Sequence, residues 1–108
     1  MPKLEYSPAA LEKLGAIYRY ISDELLNPNG AANTVQSIRD KIETLKYAPG
    51  LGAPLASRAP DVPENLKAMR VLLCGNYLAF YRYDGKPVKI NHIYYTAEDY
   101  ISHIIKTN

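Results

Sequence analysis

The chain has little of what marks secreted, membrane-bound or strongly charged proteins. It contains a single cysteine, Cys74, so no disulfide can form within it. No apolar run approaches the ~20 residues of a membrane-spanning helix, and the first residues lack the apolar segment of a secretion signal. We therefore expect a protein of the cytoplasm. The net charge of +2 permits a nucleic-acid partner without requiring one.

Motifs for several kinds of enzyme are also missing. The sequence has no glycine-rich phosphate loop, no nucleophile elbow and no pair of catalytic carboxylates. Their absence disfavours nucleotide hydrolysis, acyl transfer and glycosidase chemistry. His103 has no metal-ligand partner at useful spacing, and we predict neither a metal nor a cofactor.

The chain does contain a β-rich last third, residues 67–95. Two pairs, Gly75-Asn76 and Asp84-Gly85, divide it into three runs rich in Val, Ile, Leu, Phe and Tyr. Such pairs tolerate the positive φ that tight hairpin turns require. The pattern predicts a three-stranded antiparallel meander.

The first half of the chain has the periodicity of two helices. After a short strand at residues 3–6, Ser7 and Pro8 make a good N-cap and first helical residue. Apolar residues then recur three or four apart, which predicts a helix ending near Leu26, a break at residues 27–30 and a second helix. The apolar stripes comprise Leu11, Leu14, Tyr18, Ile21 and Leu25 in the first helix, and Ala31, Val35, Ile38, Ile42 and Leu45 in the second. Of these we expect seven to be mostly buried between the helix hairpin and the sheet: Leu11, Leu14, Ile21, Val35, Ile38, Ile42 and Leu45.

The remaining segments complete one domain, residues 1–108. The prolines and glycines between residues 49 and 63 predict a loop, and Thr96 followed by Asp99 predicts the N-cap of a short terminal helix. The order of elements predicts an α+β domain, with an N-terminal two-helix hairpin on one face of an antiparallel meander sheet. The other face of the sheet, or its rim, is then the expected working surface.

A series of short motifs spans nearly the whole chain. They are Tyr6-Ser7-Pro8-Ala9-Ala10, Asn27-Pro28 before Ala31-Ala32, Leu45 before Pro49-Gly50-Leu51-Gly52, Arg70 before Gly75-Asn76-Tyr77-Leu78-Ala79-Phe80-Tyr81-Arg82, and Asp99-Tyr100. In this order and spacing they resemble the RelE/ParE toxin superfamily of bacterial type II toxin–antitoxin modules. The resemblance implies a small toxin encoded beside a labile antitoxin, which wraps the toxin and blocks its working face.

The resemblance leaves three functions open, of which we expect a ribosome-dependent mRNA endoribonuclease with a reduced or altered catalytic set, with gyrase inhibition as a near-equal alternative. RelE-like members cut messenger RNA in the ribosomal A site without a metal, whereas ParE-like members inhibit DNA gyrase by binding it. An attenuated or orphan toxin would bind its antitoxin and do nothing else. The expected partners are therefore a cognate antitoxin and either the ribosome with mRNA or DNA gyrase, and a homodimer is also open.

Cleavage of RNA requires particular side chains around one phosphate. A base takes the 2′-hydroxyl proton, cations stabilise the phosphorane, and an acid protonates the leaving oxygen. Arginine holds phosphate, histidine exchanges protons near neutral pH, and tyrosine stacks on a base or donates a proton. The meander supplies catalytic candidates Arg70, Arg82, His92 and Tyr94, and substrate-binding candidates Lys67, Lys89 and Tyr95.

Two observations weigh against the ribonuclease. Leu78 and Ala97-Glu98 stand where ribonuclease members of the superfamily usually carry cations. Strand alternation also places each candidate among apolar neighbours on its own face. The expected faces are Arg70 with Leu72 and Cys74, Arg82 with Leu78 and Phe80, and His92 with Ile90 and Tyr94. Convergence on one site is not evident from the sequence, and a structural role for each candidate stays open.

Overall fold

The computed structural model describes residues 2–83, 85 and 87–107, which form a sheet flanked by helices. The helices are α1 (Pro8–Arg19), α2 (Pro28–Glu43) and α3 (Tyr100–Thr107). The strands are β1 (Leu4–Tyr6), β2 (Ala53–Pro54), β3 (Arg70–Cys74), β4 (Tyr77–Arg82) and β5 (Val88–Tyr95). The predicted α+β class is confirmed.

The sheet has the order β1-β5-β4-β3-β2, in which β1 runs parallel to β5 and the other neighbours are antiparallel. The predicted meander is confirmed as β3 to β5. Gly75 and Gly85 have the positive φ expected of its turns, at 64° and 92°, while Asp84 lies outside the described residues. The segment predicted as a plain loop contributes β2, so the sequence missed one edge strand.

Side-chain caps fix where the helices begin. The Ser7 hydroxyl accepts a hydrogen bond of 3.0 Å from the Ala10 N–H, as predicted. Asn27 caps α2 in the same way by accepting from the Gly30 N–H at 3.0 Å, so α2 starts inside the predicted break. The prediction that Thr96 caps the terminal helix is wrong. α3 starts at Tyr100, and the Asp99 carboxylate accepts from the Ser102 N–H at 3.4 Å instead.

The two long helices pack on one face of the sheet, called the hairpin face below. The core of this face combines side chains of the two helices with side chains of β3, β4 and β5. Each fully buried aliphatic side chain in it stabilises the fold by about 1.5–3 kcal/mol. Ile21 and Val35 are half-buried at its border. The predicted stripe positions that are buried are Leu14, Ala31, Ile38, Ile42 and Leu45.

The stripe predicted for the first helix is rotated in the structure. Its buried side chains are Ala10, Leu14 and Ile17, so Leu11 and Tyr18 lie one position to the side and are 49% and 42% exposed. Successive helical residues differ by about 100° around the axis, which is enough to move a side chain out of a narrow stripe. The prediction that Leu11 is buried was wrong, and the predicted stripe position Tyr18 lies outside the buried stripe.

α1 continues into a π-helical turn, residues Tyr20–Glu24, before the chain reverses. There the Leu25 N–H donates to the Tyr20 carbonyl, five residues back, at 3.1 Å. The wider turn carries one more residue than an α-turn and shifts the apolar periodicity. Leu25, predicted as a stripe position, is therefore 55% exposed.

The opposite face of the sheet, called the far face, carries a second apolar core. Residues 55–69 and α3 cover it, because the proline-rich segment folds into 3₁₀ turns at Leu55–Ser57 and Glu64–Leu66. Most of the face expected to be the working surface is thus buried by the chain itself, which leaves the rim of the sheet as the other expected place. The buried residues are Leu55, Val62, Leu66, Met69, Val71, Leu78, Phe80, Tyr94 and Ile104.

Candidate functional site

A β-bulge decides which face of the sheet His92 occupies. Phe80 pairs with His92, but the next residue Tyr81 pairs with Ile90, which leaves Asn91 as an extra residue in β5. Ile90 is therefore in the core of the hairpin face, whereas Tyr94 is in the core of the far face. His92, two residues before Tyr94, lies on the far face too. The expectation that His92 shares a face with Ile90 was wrong, because it assumed unbroken alternation.

Three of the four catalytic candidates lie together on the far face: Arg82, His92 and Tyr94, called the far-face cluster below. The His92 and Tyr94 rings stack with centroids 5.6 Å apart. Burial lowers the pKa of His92, and the nearby Arg82 charge lowers it further, so the imidazole is neutral at neutral pH. The Arg82 guanidinium donates to the Asn65 carbonyl at 3.0 Å. The cluster is thus tied to the segment that covers it.

The Tyr94 ring is enclosed from several sides. It meets Phe80 edge-on at 5.4 Å, lies near the ring of Tyr100 and is only 7% exposed. The His103 ring of α3 contacts its edge, and the Lys13 ammonium of α1 sits 5.5 Å from its centre. In this arrangement Tyr94 has no free face on which an incoming base can stack.

Arg70, the fourth catalytic candidate, lies on the hairpin face. Its guanidinium donates to the carbonyls of Gly52 at 2.9 Å and Gly50 at 3.1 Å. The buried hydroxyl of Tyr81 fixes the same loop, since it donates to the Pro49 carbonyl at 2.7 Å and accepts from the Gly52 N–H at 2.9 Å. Arg70 and Tyr81 therefore hold the loop of residues 49–52 in place, and Arg70 does not join the far-face cluster.

The three substrate-binding candidates lie apart from one another. Lys67 pairs with Glu64 at 3.0 Å on the segment that covers the far face. Lys89 is exposed opposite Arg82 on the neighbouring strand. Tyr95 packs against Tyr77 with ring centroids 5.6 Å apart, beside the hairpin. Of these three candidates, only Lys89 is a cation paired in the sheet with a member of the far-face cluster.

Glu98 is engaged in structural contacts. Its carboxylate accepts from the Tyr95 N–H at 2.6 Å and from the Lys13 ammonium at 2.9 Å. Burial raises the pKa of Glu98, but these two hydrogen bonds and the Lys13 charge outweigh burial, so its pKa is below the ordinary value. Sequence reasoning missed Lys13, because nothing local in a helix signals a partner 85 residues away.

The structure offers no support for metal or thiol chemistry. In residues 2–83, 85 and 87–107, no three His, Cys, Asp or Glu side chains are grouped so as to hold a metal ion. Burial raises the pKa of the Cys74 thiol to about 11, so it is not a reactive thiolate. No helix in the described part of the chain is long and apolar enough to cross a membrane.

A family model and a solved structure, both from toxin–antitoxin systems, are similar to this chain. Residues 4–100 match the family described as "ParE toxin of type II toxin-antitoxin system, parDE". A solved structure titled "Chromosomal ParDE TA system from P. aeruginosa" is similar at a TM-score of 0.70 and 26% sequence identity, covering 88% of this chain and 96% of that chain. No match was found among curated protein sequences.

Proposed function

The chain belongs to the ParE toxin family of type II toxin–antitoxin systems, and we propose that it acts by binding and inhibiting DNA gyrase rather than by cutting RNA. Membership of the family implies an antitoxin as a partner. Membership of the family does not by itself fix how the toxin acts. The choice between a binding inhibitor and a ribonuclease depends on whether a catalytic centre assembles.

The observation that carries the proposal is the division of the candidate residues between the two faces of the sheet. Arg70 is bound to loop carbonyls on the hairpin face, while Arg82, His92 and Tyr94 are on the far face. A ribonuclease needs its cations, base and acid around one phosphate. An RNA phosphate held by Arg82 is separated from Arg70 by the thickness of the sheet.

Two further features support a binding inhibitor. Leu78, at a position where ribonucleases of the superfamily usually carry a cation, is 1% exposed in the far-face core, so no charge can be presented from there. The Lys13 ammonium near the Tyr94 ring is already paired with the Glu98 carboxylate, so its charge is neutralised. Both features weaken the attraction of the far face for a phosphate.

One observation favours a ribonuclease as the second candidate. The Arg82 Nε atom is buried and has no hydrogen-bond acceptor among the described residues, and the neutral His92 is its neighbour. A phosphate would satisfy that donor, and a neutral imidazole can accept a proton. The Arg82 Nε atom would have to be uncovered first, because it is buried in the folded chain, whereas His92 is only half-buried.

The experiment is controlled expression in cells, followed by primer extension on messenger RNA and a reporter of the DNA-damage response. We expect growth arrest with a damage response and intact transcripts, and His92→Ala to be as toxic as the wild type. Cuts at codon positions that slow by about 10²–10⁴-fold in His92→Ala would establish the ribonuclease instead. Antitoxin binding with neither signal would leave an interaction-only protein.

A further inference from the structure

The turn between α1 and α2 carries exposed apolar side chains that the fold does not use. Leu26 is 83% exposed, Tyr20 is 58% exposed and Leu25 is 55% exposed, and these are the three most exposed large apolar side chains of the helix hairpin. They fall within seven consecutive positions. Single exposed leucines are ordinary, but a group of this kind marks a surface that contacts another molecule. Residues 20–27 are called the hairpin tip below.

The backbone of the hairpin tip is unusual at two points. The π-helical turn over Tyr20–Glu24 brings Leu25 out of the buried stripe. Leu26 then has a φ of 52°, in the left-handed region where helices usually end with glycine or asparagine. A leucine there is strained relative to glycine and buries little of its side chain. Its side chain therefore contributes little to the stability of the isolated toxin.

The charge of the hairpin tip narrows the kind of partner. Between Arg19 and Arg39 the only charged residues are Asp23 and Glu24. Both are exposed, and neither forms an ion pair with another described residue. Carboxylates repel the phosphates of DNA and RNA and complement a basic protein surface. Proteins that bind DNA carry lysine and arginine side chains that neutralise its phosphates, and so present basic surfaces.

The hairpin tip is also continuous with a groove. Tyr20 and Leu25 line one end of a groove of about 650 Å³, whose other walls include Ile17, Tyr77 and Tyr95. A partner seated on the tip can therefore extend along the groove and bury more than two side chains. Interfaces generally combine such an apolar centre with a polar rim.

We propose that the hairpin tip is the surface by which the toxin holds its target protein, with Leu25 and Leu26 in an apolar pocket of the target and Asp23 and Glu24 against its basic rim. This inference rests on the proposed function, because it requires a toxin that acts by binding. It assigns the contact to the helix hairpin, away from the far-face cluster.

The test is the variant Leu26→Gly, which removes the side chain and relaxes the backbone. Glycine adopts a positive φ freely, so we expect a melting temperature equal to or above that of the wild type. We expect inhibition of growth and of purified gyrase to weaken by about 5–30-fold, the usual range for a central apolar contact. The matched control is Leu51→Gly, which removes a leucine that is 50% exposed in the loop after α2. Reversing the charge with Asp23→Lys and Glu24→Lys should weaken inhibition as well.

The outcomes separate this inference from the proposed function. If the wild type and Leu26→Gly inhibited gyrase equally, the hairpin tip would not be the contact surface, but the proposed inhibition of gyrase would stand. Growth arrest without gyrase inhibition would contradict the proposal that gyrase is the target. If Leu26→Gly, but not the control, then lost that growth arrest, the hairpin tip would still be supported as the contact surface. A Leu26→Gly variant that stays toxic but no longer binds its antitoxin would assign the tip to the antitoxin and overturn the inference.

Discussion

The buried hydroxyl of Tyr81 tests the account at the scale of a single residue. Tyr81 is 0% exposed and its hydroxyl makes two hydrogen bonds to the loop that Arg70 also holds. Tyr81→Phe leaves the Gly52 N–H and the Pro49 carbonyl unsatisfied, which should lower the free energy of unfolding by about 1–3 kcal/mol. Urea denaturation measures this. Tyr83→Phe, which alters an exposed tyrosine, should be neutral, and equal effects of the two changes would contradict the assigned contacts.

The titration of Glu98 and His92 gives a prediction for acid stability. Both side chains have a lower pKa in the folded chain than their ordinary values of 4.5 and 6.5. The unfolded chain therefore binds protons first as pH falls, and the stability that each group contributes is lost as pH drops through its folded pKa. We predict that unfolding becomes easier below about pH 6.5, through His92, and again below about pH 4.5, through Glu98.

Single substitutions show which side chain causes each loss of stability in acid. Glu98→Gln should flatten the pH dependence of stability below about pH 4.5, and His92→Ala should flatten it below about pH 6.5. Glu12→Gln, on the exposed side of α1, is the control for removing a carboxylate. Denaturation midpoints measured from pH 3 to pH 8 provide the data. If Glu98→Gln lost stability below about pH 4.5 as steeply as the wild type, Lys13 and the Tyr95 N–H would not stabilise the ionised form of this carboxylate.

At the scale of an element, α3 is the piece that closes the far face. Ile104 is 0% exposed against the sheet, whereas its neighbour Ile105 is 42% exposed. Ile104→Ala should cost about 2–5 kcal/mol through loss of burial and the cavity left behind, and Ile105→Ala should stay within about 0.5 kcal/mol. Thermal or urea unfolding of the pair decides it. Similar small effects of both changes would mean that α3 does not pack on the far face.

The elements differ in how far the sequence could predict them. The helix hairpin and the meander were predictable, because periodicity and glycine-containing turns are local signals. The bulge at Asn91 and the π-helical turn after Arg19 were not, since each adds one residue whose place depends on distant contacts. One such contact is the Ser7 hydroxyl, which donates to the Asn91 carbonyl at 2.7 Å from the start of α1. One bulge was enough to change which candidates share a face.

The candidate site was harder to predict than the fold for the same reason. The sequence showed which side chains were available, and Arg82, His92 and Tyr94 do lie together. It did not show that Arg70 bonds to a loop on the other face, because that loop folds back from a distant part of the chain. Covering of the far face by residues 55–69 depends on scattered apolar residues among prolines, which have no regular period.

At the scale of the whole molecule, both faces of the sheet are covered by the chain itself. The hairpin face carries α1 and α2, and the far face carries residues 55–69 and α3. Among the surfaces that the described residues leave exposed are the hairpin tip, the groove beside it and the sheet edges, which suit contact with other proteins.

Inhibition of gyrase by binding is tested most directly by a supercoiling assay with purified toxin. The assay compares the wild type with the double variant Arg82→Ala/His92→Ala. Circular dichroism first establishes that the double variant is folded. We predict that both proteins block supercoiling to the same extent, because inhibition by binding does not use the far-face cluster. Full supercoiling at every toxin concentration, together with ribosome-dependent cleavage of mRNA that the double variant has lost, would contradict the account.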